Sequence, residues 1–381
     1  MKIRRVFFWA HLSAGLLSGL LVLLMSATGI LLAYEQQLVA HADTLNRVAP
    51  PEGATPLTAD RWVAAARERD PAAAHGTLIV SADPDAPVRV SLGRDRSLLL
   101  DPYSAALLDD HAAGTRYALH TIERWHLWLG GDPGSVRAGL MGAANLVFLF
   151  LVCSGIYLWL PARWSRAMLR VRLLFNGQPP SSKVRDYNWH HVFSSWALVP
   201  LAIIVSSGVV MSYPWANRLL FAAFGEAPPA RGGPPGQAAE RDGPPAGEAW
   251  PASLDALLAS AKAHVPNWQT LHVPLGVDPG FVTIAADVAG DPIVRRTLRI
   301  STTDTSRVTE GDSLPAGRPR GGTPGQRLRG WLRFAHTGQE YGPIGQTIAA
   351  LASLAACFLV YTGFALAYRR LIHPFFSHAA G

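Results

Sequence analysis

Trp9-Ala10-His11 opens an apolar run that ends at Thr28-Gly29, and Trp189-His190-His191 opens another that ends at Ser207-Gly208. His11 precedes Gly29 by the same number of residues as His190 precedes Gly208. Two more histidines stand ahead of the other apolar runs, at longer intervals: Trp125-His126 before Ser154-Gly155, and His336 before Thr362-Gly363. The chain reads as one unit used twice: a helix, an extramembrane segment and a second helix, with a histidine at the head of each helix.

Composition supports a membrane reading. Of 381 residues, 49% are hydrophobic and only 16% charged, against roughly 25% charged in a soluble domain. Four windows reach the ~20 apolar residues that cross a bilayer: Val6–Leu32, Ala138–Leu160, Val192–Ser212 and Ile344–Tyr368. Basic residues precede the first, and Ala40-His41-Ala42 resembles a signal cleavage site. The run is nevertheless longer than the ~7–15 residues of a signal core, so it is read as a span. Pro200 predicts a kink in the third.

Basic residues set the orientation. Lys2, Arg4 and Arg5 precede span 1. Arg163, Arg166, Arg170, Arg172, Lys183 and Arg185 lie between spans 2 and 3, and Arg369 and Arg370 follow span 4. Asp186 is the one acid among them. The positive-inside rule then puts both termini and the 2–3 loop in the cytoplasm, and the two long segments outside. This is a four-pass protein of a bacterial inner (cytoplasmic) membrane with its outer segments in the periplasm. The net charge of +7 is explained by topology and predicts no nucleic-acid partner. Cys153 and Cys357 fall inside apolar helices, where they read as packing residues; no disulfide framework follows.

The expected architecture is an all-α four-helix transmembrane bundle with two small α+β modules outside and an internal two-fold repeat. Its divisions are 1–34 span 1, 35–136 module 1, 137–161 span 2, 162–189 basic loop, 190–213 span 3, 214–342 module 2, 343–370 span 4 and 371–381 tail. In module 1, a helix from Leu57-Thr58-Ala59-Asp60 to Arg67 carries Trp62, Val63 and Ala66 on one face. Strands follow at Thr77–Val80, Val88–Leu92 and Ser97–Leu100, then an Asp101-Pro102-Tyr103-Ser104 turn. In module 2, Leu254–Ala263 reads as helix, and Thr270–Val273, Phe281–Ala285 and Thr297–Ile300 as strands. Gly225–Gly247 and Leu314–Gln326 read as Gly/Pro-rich linkers.

Histidine in or near a bilayer is uncommon and marks function. By topology His11 and His190, or its neighbour His191, lie toward the cytoplasmic face, and His126 and His336 toward the periplasmic face. Neutral imidazoles on facing helices are how a bundle holds haem iron. Two bis-histidine haems, one near each leaflet, would form an electron path. Zinc or copper fits less well, because no carboxylate or Cys accompanies the pairs. His373 is an alternative ligand on the inner side, and His120 could supplement the outer one. His41, His75, His111, His264 and His272 lack ligand spacing.

These motifs resemble the PepSY-associated transmembrane-helix proteins, and within them the inner-membrane ferric-siderophore reductases. The resemblance rests on Trp9-Ala10-His11…Thr28-Gly29, His126…Ser154-Gly155-Ile156-Tyr157-Leu158-Trp159-Leu160-Pro161, Trp189-His190…Pro200…Ser207-Gly208 and His336-Thr337-Gly338…Thr362-Gly363. Leu100-Asp101-Pro102-Tyr103 stands where a PepSY domain carries its Asp-Pro-Tyr turn, so both modules are expected to be PepSY-like. The resemblance implies haem b and reduction of a periplasmic ferric siderophore, releasing Fe(II) for iron uptake. It also implies electrons from a separate cytoplasmic donor, which suits a 2–3 loop too short for a nucleotide-binding domain. His191 departs from the small polar residue that similar proteins carry, which leaves open which of His190 and His191 binds iron.

An oxidoreductase of this kind needs no general acid or nucleophile, so no catalytic side chain is expected. No Ser/His/Asp set, P-loop or dinucleotide fingerprint is found. Trp125, Trp128, Trp331, Phe334 and Tyr341 mark the outer docking surface or the membrane belt. Two rival readings stand beside it. One is a haem-free scaffold presenting its modules to a periplasmic protein. The other is a cytochrome b subunit serving another acceptor.

Overall fold

The computed structural model describes residues 2–93, 96–161, 164–229, 252–276, 280–288, 291–311 and 323–373, with 291–294 as backbone alone. Residues 230–247 of the first linker and 314–322 of the second lie outside the described residues, as does Arg163. In chain order the helices are α1 (Lys2–Leu32), α2 (Glu35–Asp43), α3 (Ala59–Arg69), α4 (Ala113–Trp128), α5 (Val136–Trp159) and α6 (Arg166–Leu173). They continue with α7 (Ser182–Trp196), α8 (Leu198–Ser212), α9 (Pro214–Ala222), α10 (Leu254–His264), α11 (Pro324–Thr337) and α12 (Gly342–Leu371). The chain divides into two compact units. One comprises residues 1–35, 118–225 and 331–381, the other 36–117 and 226–330.

The first unit is helical. α1, α5 and α12 are long and apolar enough to cross a membrane, and α7 with α8 makes a fourth span if that pair, bent by 68°, crosses as one. α1 packs on α5 and α12, α12 also on α7 and α8, and α5 on α8. The bend explains why Val192–Ser212 is not one helix. Pro200 has no N–H to give the Trp196 carbonyl and its ring crowds that carbonyl, so α7 ends at Trp196 and α8 starts at Leu198. Small residues bring the helices close. A Cβ on Gly19 would sit 2.6 Å from the Phe364 ring, and α12 buries Ala349, Ala352, Ala355 and Ala356.

The helix heads differ from the expected plan. His11 and His190 lie inside α1 and α7, but His126 and His336 end separate helices, α4 and α11. Between α4 and α5 the chain turns through Leu129 (φ 54°), Gly130 (φ 70°) and Gly134 (φ 83°), before Ser135 Oγ caps α5 by accepting from Ala138 N at 3.2 Å. Between α11 and α12, Gly338 has φ 77°, and any Cβ there would run into the Gly345 backbone. Only glycine allows that fold-back.

The second unit is built on one antiparallel sheet, with β1 (Thr77–Ser81), β2 (Val88–Ser91), β3 (Ser97–Leu100), β4 (Leu107–Leu108), β5 (Trp268–Pro274), β6 (Phe281–Val288), β7 (Asp291–Ser301) and β8 (Val308–Gly311). The order is β4-β3-β2-β1-β5-β6-β7-β8. The strands expected in two separate modules therefore form one eight-stranded sheet, joined where Leu78 faces Val273 and Ile79 faces His272. Alternation explains the core: Val282, Ile284 and Ala286 of β6 point inward to meet Leu78, Leu271, Leu298 and the apolar faces of α3 and α10. The two helices cap each other, with Ala59 N donating to Asp255 Oδ1 at 2.9 Å and Leu254 N to Asp60 Oδ1 at 3.3 Å. The Asp101 carboxylate accepts from Tyr103 N at 2.7 Å, closing the Asp-Pro-Tyr turn. Trp62 Nε1 then donates to Pro102 O at 3.0 Å. On the sheet face opposite Leu271, His272 Nε2 and Arg295 meet Asp287.

Candidate functional site

Each candidate histidine meets the hydroxyl of a Ser/Thr-Gly pair on another helix. His11 Nδ1 lies 2.8 Å from Ser154 Oγ, His126 Nδ1 2.9 Å from Thr28 Oγ1, His190 Nδ1 2.9 Å from Thr362 Oγ1 and His336 Nδ1 2.9 Å from Ser207 Oγ. The arrangement is reciprocal. α1 offers His11 to Ser154 and Thr28 to His126; α7 and α8 offer His190 to Thr362 and Ser207 to His336.

The hydroxyls decide the tautomers. Each has one proton, and each donates it to a carbonyl of its own helix: Thr28 to Leu24 O at 2.7 Å, Ser154 to Phe150 O at 2.7 Å, Ser207 to Ile204 O at 2.8 Å and Thr362 to Phe358 O at 2.7 Å. The hydroxyl oxygen must therefore accept from Nδ1–H. This hydrogen-bond assignment leaves the Nε2 lone pair of all four imidazoles for a ligand. His336 Nδ1 also reaches Ile204 O at 2.8 Å, which fits a protonated Nδ1.

The glycines complete the cradle. A Cβ on Gly29 would lie 3.5 Å from His126 Cε1, on Gly155 3.6 Å from His11 Cε1 and on Gly363 3.8 Å from His190 Cε1. At Gly208 the neighbour is the Asn145 amide, 2.8 Å from such a Cβ. Asn145 lay hidden in the apolar run of α5, and its polarity within that run was the available signal.

His126 and His336 face each other with ring centres 6.4 Å apart and planes at 76°. Two imidazole nitrogens each about 2 Å from a shared metal set ring centres about 6 Å apart, so by spacing this pair could hold one metal ion, such as a haem iron, between them. His11 and His190 are close enough to interact electrostatically. His191 turns elsewhere: its ring contacts Tyr187 at 4.4 Å. The hydroxyl contact of Thr362 therefore falls to His190. His373 is exposed, two residues beyond the end of α12. His120 lies beside Glu35, whose carboxyl is pushed up by burial and then by Glu123, with His120 opposing. Among the described residues no three His, Cys, Asp or Glu side chains converge as a metal cluster.

The end of the unit nearest His11 and His190 is dense in charge. Asp186 is fully buried and binds both Arg185, at 3.0 Å, and Arg369 of α12. The Arg370 guanidinium lies 4.6 Å from the Phe8 ring centre and 5.4 Å from that of Trp9.

A family model described as the PepSY-associated TM region matches residues 8–370. The chain belongs to this family. No curated protein matches it. The match takes in all four histidines and all four Ser/Thr-Gly pairs of this PepSY-associated chain, together with the strands of its sheet.

Proposed function

We propose that this protein is a haem-dependent reductase of a bacterial inner membrane, passing electrons from the cytoplasmic side to a periplasmic ferric siderophore. The observation that carries the reading is the set of four imidazoles in two pairs, each held through Nδ1 by a hydroxyl that has spent its own proton. His11 and His190 are the ligands of a cytoplasmic-side haem b, and His126 and His336 of a periplasmic-side one. Bound haem supplies one-electron transfer, and the protein sets its potential through the axial ligands and their burial. Ser154, Thr28, Thr362 and Ser207 fix the ring orientations. Along α1 the two pairs sit at residues 11 and 28, about 25 Å apart at 1.5 Å per residue. An internal two-fold repeat would put one pair near each leaflet.

Arg4, Arg170, Arg172, Lys183, Arg185, Arg369 and Arg370 gather at one side, which the positive-inside rule makes cytoplasmic. Four spans, with α7 and α8 counted as one, then put both termini inside and the sheet unit in the periplasm. A siderophore binds Fe(III) through hard oxygen ligands. Reduction to Fe(II) weakens that preference and releases the metal without destroying the chelator.

The test is a reduced-minus-oxidised visible spectrum with pyridine quantification of haem. Two haems b per chain are expected, with one lost in His126→Ala and one in His190→Ala, and reoxidation by a ferric hydroxamate or catecholate. The competing reading is a haem-free scaffold, favoured by the large continuous sheet. A colourless protein, even when expressed with added haem, would establish it in place of the reductase. Retained haem without reoxidation by ferric chelates would point to a cytochrome b subunit for another acceptor.

A further inference from the structure

Among the described residues, two buried side-chain polar atoms lack a hydrogen-bond partner: Arg172 Nη1 and Trp159 Nε1. They belong to neighbours, with the Arg172 guanidinium carbon 5.4 Å from the Trp159 ring centre. We infer that Arg172 and Trp159 form a carboxylate-receiving site, their two unspent donors taking a propionate of the haem held by His11 and His190. The assignment rests on the haem reading above.

Burial without a partner is the first argument. Arg172 is 7% exposed, and a buried guanidinium nitrogen left without an acceptor is unfavourable. The one carboxylate of the basic loop, Asp186, is already taken by Arg185 and Arg369. Burial works against the Arg172 charge, Tyr187 supports it, and the Arg4 cation opposes it further. A site with two cations and two free donors calls for an anionic oxygen acceptor.

Position is the second. Ser154 marks the height of His11 on α5, and Trp159 stands five residues further along, about 7.5 Å at 1.5 Å per residue. That displacement runs toward the end where Arg4 donates to Leu158 O at 2.6 Å. The carboxylates of a haem ligated at His11 and His190 belong on this side, facing the aqueous edge.

Rigidity is the third. α6, which carries Arg172, is stitched to α7, which carries His190. Asn188 Nδ2 donates to Val171 O at 2.6 Å and to Leu174 O at 3.0 Å. Trp196 Nε1 donates to Leu173 O at 2.9 Å. These bonds set Arg172 at a fixed place relative to the histidine before any ligand arrives, as a preorganised site requires.

The same donors could instead serve a free carboxylate or phosphate of a soluble donor, and the experiment separates the two. The full-length protein carries His126→Ala, so that only the inner haem is held, and haem release to apomyoglobin is followed by absorbance. Release is expected at least 10-fold faster in Arg172→Met, about 3-fold faster in Trp159→Phe, and restored toward wild type in Arg172→Lys. Haem dimethyl ester, which lacks the carboxylates, should leave the Arg172 protein quickly and the Arg172→Met protein no faster. Retained discrimination between haem and its ester in Arg172→Met would overturn the assignment. So would an Arg172-dependent rise in the melting temperature of haem-free protein with inorganic phosphate, without any change in haem release. Should Arg172→Met fail to fold, Trp159→Phe carries the same comparison with the smaller expected difference. A wild type that binds no haem overturns the parent reading instead.

Discussion

The two units bury different mixtures of residue, and the helical one hides more small and hydroxyl side chains. In the sheet unit the fully buried side chains are Leu78, Leu257, Leu271, Ile284, Leu298 and Ile300, closed between one sheet face and two helices. In the helical unit Ala352, Ala356, Ser154, Ser207 and Thr362 are buried beside Val22, Val192 and Phe221, while Leu17 stands 87% exposed and Leu20, Ile344 and Leu351 also face outward. Water explains the first pattern, because hiding apolar area from it drives folding. Lipid explains the second. Leucine gains nothing by leaving an acyl environment, so close packing and hydrogen bonds select small and hydroxyl residues for the interior.

The largest test of this contrast is truncation of a leucine in each unit. Leu271→Ala should destabilise the sheet unit by about 2–5 kcal/mol. Leu17→Ala should stay within about 0.5 kcal/mol. Proteolysis rates of the full chain across a urea series read both, and equal effects would break the contrast. Next in size, Gly19→Leu drives a side chain into the Phe364 ring and should cost about 1–3 kcal/mol by overpacking, seen as a lower melting temperature in detergent.

A hydroxyl is the finer probe. Thr28→Val keeps the volume but removes the hydroxyl that meets His126 Nδ1. If the proposed haems are bound, affinity at the His126–His336 pair should fall about 10–100-fold, with that at the His11–His190 pair unchanged by spectral titration.

The smallest effect lies on the sheet, at Asp287. Burial pushes its carboxyl up, but the hydrogen bonds from His272 and Arg295 outweigh that and hold it below the ordinary carboxylate range. A lowered folded value means the stabilisation is complete above the unfolded carboxylate pKa and fades as pH falls through the folded one. Acid unfolding followed by tryptophan fluorescence should start at higher pH than in Asp287→Asn, relative to each protein's stability at neutral pH; parallel profiles would remove the linkage.

Local patterns were legible in the residues. Phe281–Ala285 alternates, and it is a strand. The Trp-Ala-His and Trp-His-His openings and the Ser/Thr-Gly pairs marked both partners of the histidine contacts, though not that they touch. Pro200 announced a disturbance, which fell one turn earlier, at Trp196–Leu198, because proline acts on the carbonyl four residues before it. Other features were hidden. Arg172 read as one more charge of the positive-inside count, and nothing nearby in the chain announced its burial beside Trp159. The pairing of β1 with β5 joins strands from segments separated by two spans, so each half looked like a module of its own.

By itself the sequence determined the apolar spans, the period of the strands, the basic side and four histidines in related positions, because each depends on residues within a few turns of one another. Only the tertiary structure decided that Thr28 meets His126, 98 residues away, that Thr362 takes His190 while His191 turns to Tyr187, and that eight strands share one sheet. Those outcomes depend on which surfaces pack, and packing is settled by shape and hydrogen-bond complementarity between distant segments.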